Sequence, residues 1–166
     1  MATKRSEPRA SRAQRELPAI ENRQRAVRLE LGSLERFLLR VNREIGLDHH
    51  SAFVRFVTGA EMTRLNQTFR NKPGTTDVLS FPSETRTRPA GLRHRAKALR
   101  GSYLGDIAIS PVVARRNAKT FGRTTTEEIC ILMLHGVLHL LGYDHDTDRG
   151  EMERVEATLR RRLRLA

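Results

Sequence analysis

Thirteen consecutive residues, Ile129 to Leu141, carry no charged side chain, and this stretch constrains the fold more than any other. It is well short of the roughly 20 apolar residues that span a bilayer, so it must be buried by protein instead of lipid. A segment of that length bounded by polar residues predicts a central apolar helix with other elements packed around it. The 166 residues are enough for one such core and leave no room for a second domain of ordinary size.

Around that segment the spacing of apolar residues predicts an α+β domain of about four strands and five helices. Val27, Leu29 and Leu31 alternate with charged residues as a half-buried first strand would. Ser33 is positioned to cap a helix whose apolar face is Leu34, Phe37, Leu38, Val41 and Ile45. Phe53 to Val57 reads as a strand, and Thr58 with Glu61 as a capping box for a helix facing inward through Met62, Leu65 and Phe69. Val78 to Phe81 and Tyr103 to Ile109 read as strands, and Ser110-Pro111 opens a helix. Thr125 or Thr126 caps the uncharged helix, Gly142 ends it, and Met152, Val155, Leu159 and Leu163 mark a last amphipathic helix.

Charge is unevenly placed. The formal net charge is +12, yet residues 85–100 hold six bases and no acid, residues 154–166 hold five bases and one acid, and residues 1–30 hold eight and four. The remaining body is slightly acidic, so the excess lies in three segments, a pattern that favours a polyanionic partner such as RNA or DNA. Residues 1–22 lack apolar periodicity and contain Pro8 and Pro18, which predicts a disordered basic arm. A single domain over 23–166 then carries a basic loop at 85–100. One cysteine excludes an internal disulfide framework, and Cys130 is expected to pack as a small apolar side chain. With no apolar core for a signal peptide in the first 30 residues, a cytoplasmic chain is expected, with no membrane role.

His135, His139 and His145 carry the chemistry. Residues four apart lie about 40° apart around a helix, so the imidazoles of His135 and His139 can meet at one point. Gly142 permits the left-handed turn that returns His145 to the same point. Three neutral nitrogens with an open fourth position describe a catalytic zinc site, whereas a structural site normally supplies a fourth protein ligand. His49, His50 and His94 fall in expected loops and receive no role. The spacing is similar to the extended zinc motif of metzincin peptidases, but those carry a Glu directly after the first His, where this chain has Gly136. Loss of a general base costs about 10² to 10⁴ in rate, so amide hydrolysis is disfavoured. A site with three neutral ligands keeps most of the +2 charge of its ion, which suits an anionic phosphodiester.

His135 to His145, together with Leu65-Asn66 through Arg70, Thr76 to Pro82 and Leu104-Gly105-Asp106-Ile107, resembles the YbeY family of bacterial metallo-endoribonucleases in motif and in order. The resemblance covers about residues 24–160. It implies a zincin-like α+β fold, one zinc held by His135, His139 and His145, and an RNase specific for single strands. It also implies roles in ribosome quality control and in maturing the 3′ end of 16S ribosomal RNA, with the small ribosomal subunit as partner. The functionally important arginine of the family falls on Arg70, where a guanidinium opening a Pro/Gly loop can make two hydrogen bonds to a phosphate. Asp77 and Asp106 at strand starts are expected to be structural, and Asp144 and Asp146 are possible partners for a ligand imidazole. Two other readings remain: a non-catalytic RNA-binding assembly factor whose zinc only holds the fold, and a metallopeptidase with an unusual base.

Overall fold

A computed structural model describes residues 19–47, 51–83, 91–99 and 102–165. Four strands form one mixed sheet: β1 (Ile20–Asn22), β2 (Ala52–Phe56), β3 (Val78–Pro82) and β4 (Gly105–Ile109), in the order β1-β2-β4-β3. β1 and β4 run parallel to β2, and β3 pairs antiparallel with β4 at the edge opposite β1. Six helices are described: α1 (Leu31–Ile45), α2 (Gly59–Arg70), α3 (Leu92–Ala98), α4 (Pro111–Thr120), α5 (Thr125–Leu140) and α6 (Glu151–Leu163). The fold class is therefore α+β, with one helix more than the sequence pattern predicts.

α5 is the uncharged helix, and it is buried nearly all round. Ile129, Met133, Leu134, Val137 and Leu138 are fully buried, in one core with Leu38 and Val41 of α1, Ile107 and Ile109 of β4, and Met152 and Leu159 of α6. Its N-cap is Thr124, one residue before the expected pair. The Thr124 hydroxyl accepts from the Glu127 N–H while the Glu127 carboxylate accepts from the Thr124 N–H, a reciprocal capping box. Gly136 is where the helix meets the sheet most closely. A Cβ there would lie 2.7 Å from Cγ2 of Ile107, so only glycine lets α5 settle against β4.

Three local expectations change. The first strand is Ile20–Asn22 and not the alternating run at 27–31, because Val27 is buried by a side-chain clasp. Gln24 accepts from the Val27 N–H at 2.9 Å and donates to its carbonyl at 3.0 Å. The fold thus begins by Ala19, inside the segment expected to be an arm. The rest of that segment, residues 1–18, lies outside the described residues. Ser33 sits within α1, whose N-cap is Glu30. The basic stretch expected as a loop contains α3, in which Arg95 and Ala96 are buried and Arg93, His94 and Lys97 are exposed. His94 is therefore helical, and residues 84–90, 100 and 101, like His49 and His50, lie outside the described residues.

Candidate metal centre

Two of the clustered imidazoles come from the last turns of α5 and the third from the turn beyond it. His135 and His139 face the same side, their Nε2 atoms 3.0 Å apart. Leu141 caps the helix, and Gly142 takes a left-handed φ of 87°, reversing the chain. That reversal stacks the ring of His145 on His135 at 5.0 Å between centroids and sets it edge-on to His139 at 5.7 Å. One nitrogen from each ring lies within 4.8 Å of the others.

The outer nitrogens of the two helical rings are engaged. Nδ1 of His135 faces Oε2 of Glu156 at 2.9 Å, and Nδ1 of His139 donates to the Tyr143 carbonyl at 2.9 Å. Each contact fixes a tautomer that leaves Nε2 bare and pointing inward. Burial and the neighbouring His135 ring push His139 down to about 4, so it is neutral at pH 7. Burial pushes Glu156 up, but its bonds to His135 and Arg160 outweigh that and hold its carboxyl below the usual range. The donor set fits zinc. Nitrogens at 2.0–2.1 Å on a tetrahedral ion stand about 3.4 Å apart, against 3.0 Å between the two helical Nε2 atoms and at most 4.8 Å across the three rings, and all three are imidazole nitrogens of the kind zinc takes.

Behind the Gly142 turn stands α3. The Arg95 guanidinium lies 4.0 Å over the Tyr143 ring, donates to the Leu141 carbonyl at 3.4 Å and pairs with Glu151 at 3.5 Å. It therefore holds the backbone that carries both the His139 acceptor and His145. Asp148 anchors the far side of the same turn, accepting from the N–H groups of Glu151 and Met152 at 2.9 Å.

An open cleft of about 680 Å³ leads to the histidines past the edge strand β3, and Phe69, Arg70, Ser80, Phe81, His135 and His139 are among its walls. Arg70 ends α2 at its mouth, exposed, just before Asn71 takes a left-handed cap. Among the expected site residues, the structure thus brings the three histidines together and sets Arg70 on the same cleft. Asp144 also lines it, its carboxylate accepting from the Asp146 N–H and the Thr147 hydroxyl. Asp77, also on the cleft, accepts from Asn117 and from its own strand at Val78, and Asp106 accepts from the Tyr103 hydroxyl. Cys130 is buried and its thiol is pushed up to about 12 by burial.

Glu156 and Arg95 were not foreseen from sequence. Glu156 has a visible signal, being one acid within the Met152, Val155, Leu159 and Leu163 stripe of α6. Arg95 has a weaker one in the helical spacing of Leu92, Ala96 and Leu99.

Fold and site define the class: a small α+β domain with a three-histidine site able to hold a metal ion at the foot of an open cleft. Residues 19–164 match the family described as Endoribonuclease YbeY. An endoribonuclease YbeY of Solibacter usitatus (strain Ellin6076) is 46% identical over 134 residues, 80% of this chain and 79% of that protein. One from Koribacter versatilis (strain Ellin345) is 41% identical over 133 residues, 80% of this chain and 77% of its own. The solution structure of TM1509 from Thermotoga maritima has a TM-score of 0.53 at 28% identity, covering 80% of both chains. The chain belongs to the Endoribonuclease YbeY family.

Proposed function

We propose that this chain is a zinc-dependent endoribonuclease of zincin-like architecture that cuts single-stranded RNA, with His135, His139 and His145 as metal ligands and Arg70 as a phosphate-binding catalytic residue. Its substrate is ribosomal RNA, and its work is maturation of the 16S 3′ end and ribosome quality control on the small subunit, in the cytoplasm. Family membership supports the nuclease class. The observation that carries the site is the convergence of one nitrogen from each of three imidazoles, within 4.8 Å of one another, beside a cleft that Arg70 also lines.

Zinc held there would supply Lewis-acid polarisation of a phosphoryl oxygen. The protein does the rest by position. Glu156 and the Tyr143 carbonyl keep the two helical imidazoles fixed, so no reorganisation is needed when substrate arrives. Arg70 can grip two phosphate oxygens and stabilise charge that grows on them as the bond breaks. At the position of a peptidase base, Gly136 has no side chain, and its packing against Ile107 leaves no space for one. This favours the nuclease reading over the peptidase reading.

Labelled single-stranded RNA, duplex RNA and casein, each incubated with the zinc-loaded protein with and without chelator, separate the readings. Cleavage of the single strand alone, abolished by chelator and restored by zinc, is the expected result. Binding of RNA without cleavage would support an assembly factor, and cleavage of casein a peptidase. Arg70→Ala should lower cleavage by about 10² or more with metal content unchanged.

A further inference from the structure

α5 covers one face of the sheet. On β4, Ile107 and Ile109 are buried toward it, so Asp106 and Ala108 point to the opposite face. The register extends that alternation across three strands. Phe53 of β2 and Phe81 of β3 both pair with Asp106, forming one row, and Arg55 and Leu79 pair with Ala108 in the next. α2 covers the second row, burying Leu79 and Ala108 beneath Met62 with Leu65 beside them. The first row stays half-open.

Beside it stand the two most exposed rings of this face. Phe69, expected from its helical spacing to be core, is 63% exposed and meets Phe81 edge-on at 4.9 Å. Tyr103 is 46% exposed, and its hydroxyl donates to Asp106 at 2.6 Å. The Arg55 guanidinium lies 5.4 Å over the Phe53 ring. Of the eight Phe and Tyr residues in the chain, four are gathered here, which core packing does not require.

We propose that Phe53, Phe81, Phe69 and Tyr103 form a base-stacking platform that receives single-stranded RNA on its way into the metal cleft. The proposal rests on the nuclease reading above. Continuity is the main argument, because Phe69 and Phe81 wall both the metal cleft and a groove of about 300 Å³ on this face. A strand lying on the rings and passing over β3 would meet Arg70, the neighbour of Phe69, at the cleft mouth. Phe53 and Phe81 are two strand spacings apart, about 10 Å, enough to separate two bases, one meeting Phe53 with its Arg55 guanidinium and one meeting the Phe69–Phe81 pair. Ring faces stack on any base, and only an unpaired strand presents base faces to them, so the platform itself selects single strands. The centres of protein interfaces are depleted in charged residues, whereas Asp106 and Arg55 lie in the middle of this one. The net charge of +12 likewise suits a polyanion.

The test compares Phe69→Leu and Tyr103→Leu, which keep apolar bulk but lose the ring, with Phe69→Trp, which keeps a ring. Affinity for labelled single-stranded and duplex RNA is read across a salt titration, with KM and kcat for cleavage, zinc content and sedimentation alongside. Each Leu variant should bind single strands roughly tenfold more weakly and raise KM, with zinc content, duplex affinity and salt slope unchanged. Phe69→Trp should bind as the unaltered protein does. Cross-linking of iodouridine-substituted RNA should map to at least one of the four rings. Unchanged single-strand affinity and KM in both Leu variants would overturn the platform while leaving the nuclease reading intact. Loss of binding in a protein that cuts no RNA would leave the platform standing and overturn the nuclease reading. A shift from dimer to monomer in the Leu variants, without loss of RNA affinity, would make this face a contact between copies and overturn the proposal.

Discussion

Helices α5 and α3 both bear on the metal site, and they do so with opposite means. α5 is uncharged beyond its first turn, is packed on nearly every side, and presents two of the three clustered imidazoles from a rigid apolar rod. α3 is basic, has two exposed cations, and sends one buried guanidinium behind the Gly142 turn. The geometry of the two imidazoles on α5 is set by backbone spacing and close packing. That of the third depends on a charged clasp, because a glycine turn has no rigidity of its own. The centre is thus half built by apolar packing and half by polar support.

Four sets of substitutions probe that division. Gly136→Ala should cost about 3 kcal/mol, the upper end for overpacking, since its methyl would meet a fully buried β-branched side chain. Combining it with Ile107→Ala should cost less than the two singly measured losses together, as denaturant melts of the full cycle would show. Additive losses would mean that the helix does not rest on Ile107. Arg95→Ala should cost about 2 kcal/mol through the lost stack and buried contacts, lowering Tm by roughly 4–8 °C. Arg95→Lys should not restore it, because an ammonium lacks the planar face that lies on Tyr143. Glu156→Gln should weaken zinc binding at least tenfold, about 1.4 kcal/mol, in a competitive chelator titration. Smallest is the double change Arg93→Gln with Lys97→Gln, on the exposed side of α3. Stability should stay within about 0.5 kcal/mol, and the slope of log RNA affinity against log salt should flatten by up to about 1.4. A larger destabilisation would show that α3 uses more than Arg95 as support.

The same two helices show how far the sequence can be read. The position and burial of α5, its glycine stop and the convergence of three histidines all follow from periodicity within about seventeen residues, which local backbone geometry dictates. α1 and α6 are legible for the same reason. α3 is not, because its charge dominates its composition, and only Leu92, Ala96 and Leu99 mark the buried side. That short stripe puts Arg95 on the inner side and Arg93 on the outer, but what a buried guanidinium meets there, Tyr143 and Glu151, lies about fifty residues away. β1 fails for a related reason. Three residues become a strand only because β2 offers them a partner, while the alternation at Val27 and Leu29 is absorbed by the Gln24 clasp. Phe69 follows the helical stripe of α2 yet meets only the Phe81 ring edge-on and stays exposed, so spacing alone places it in the wrong environment. Glu156 stands in an apolar stripe, and its partner on α5 becomes visible only when α6 packs beside it.

X-ray absorption at the zinc edge of the loaded protein tests the central claim most directly, since it reads the ligand set without reference to activity. The account predicts one zinc per chain with three imidazole nitrogens at about 2.0–2.1 Å and one further light-atom ligand. A sulfur at about 2.3 Å, or fewer than three imidazoles in the shell, would contradict it.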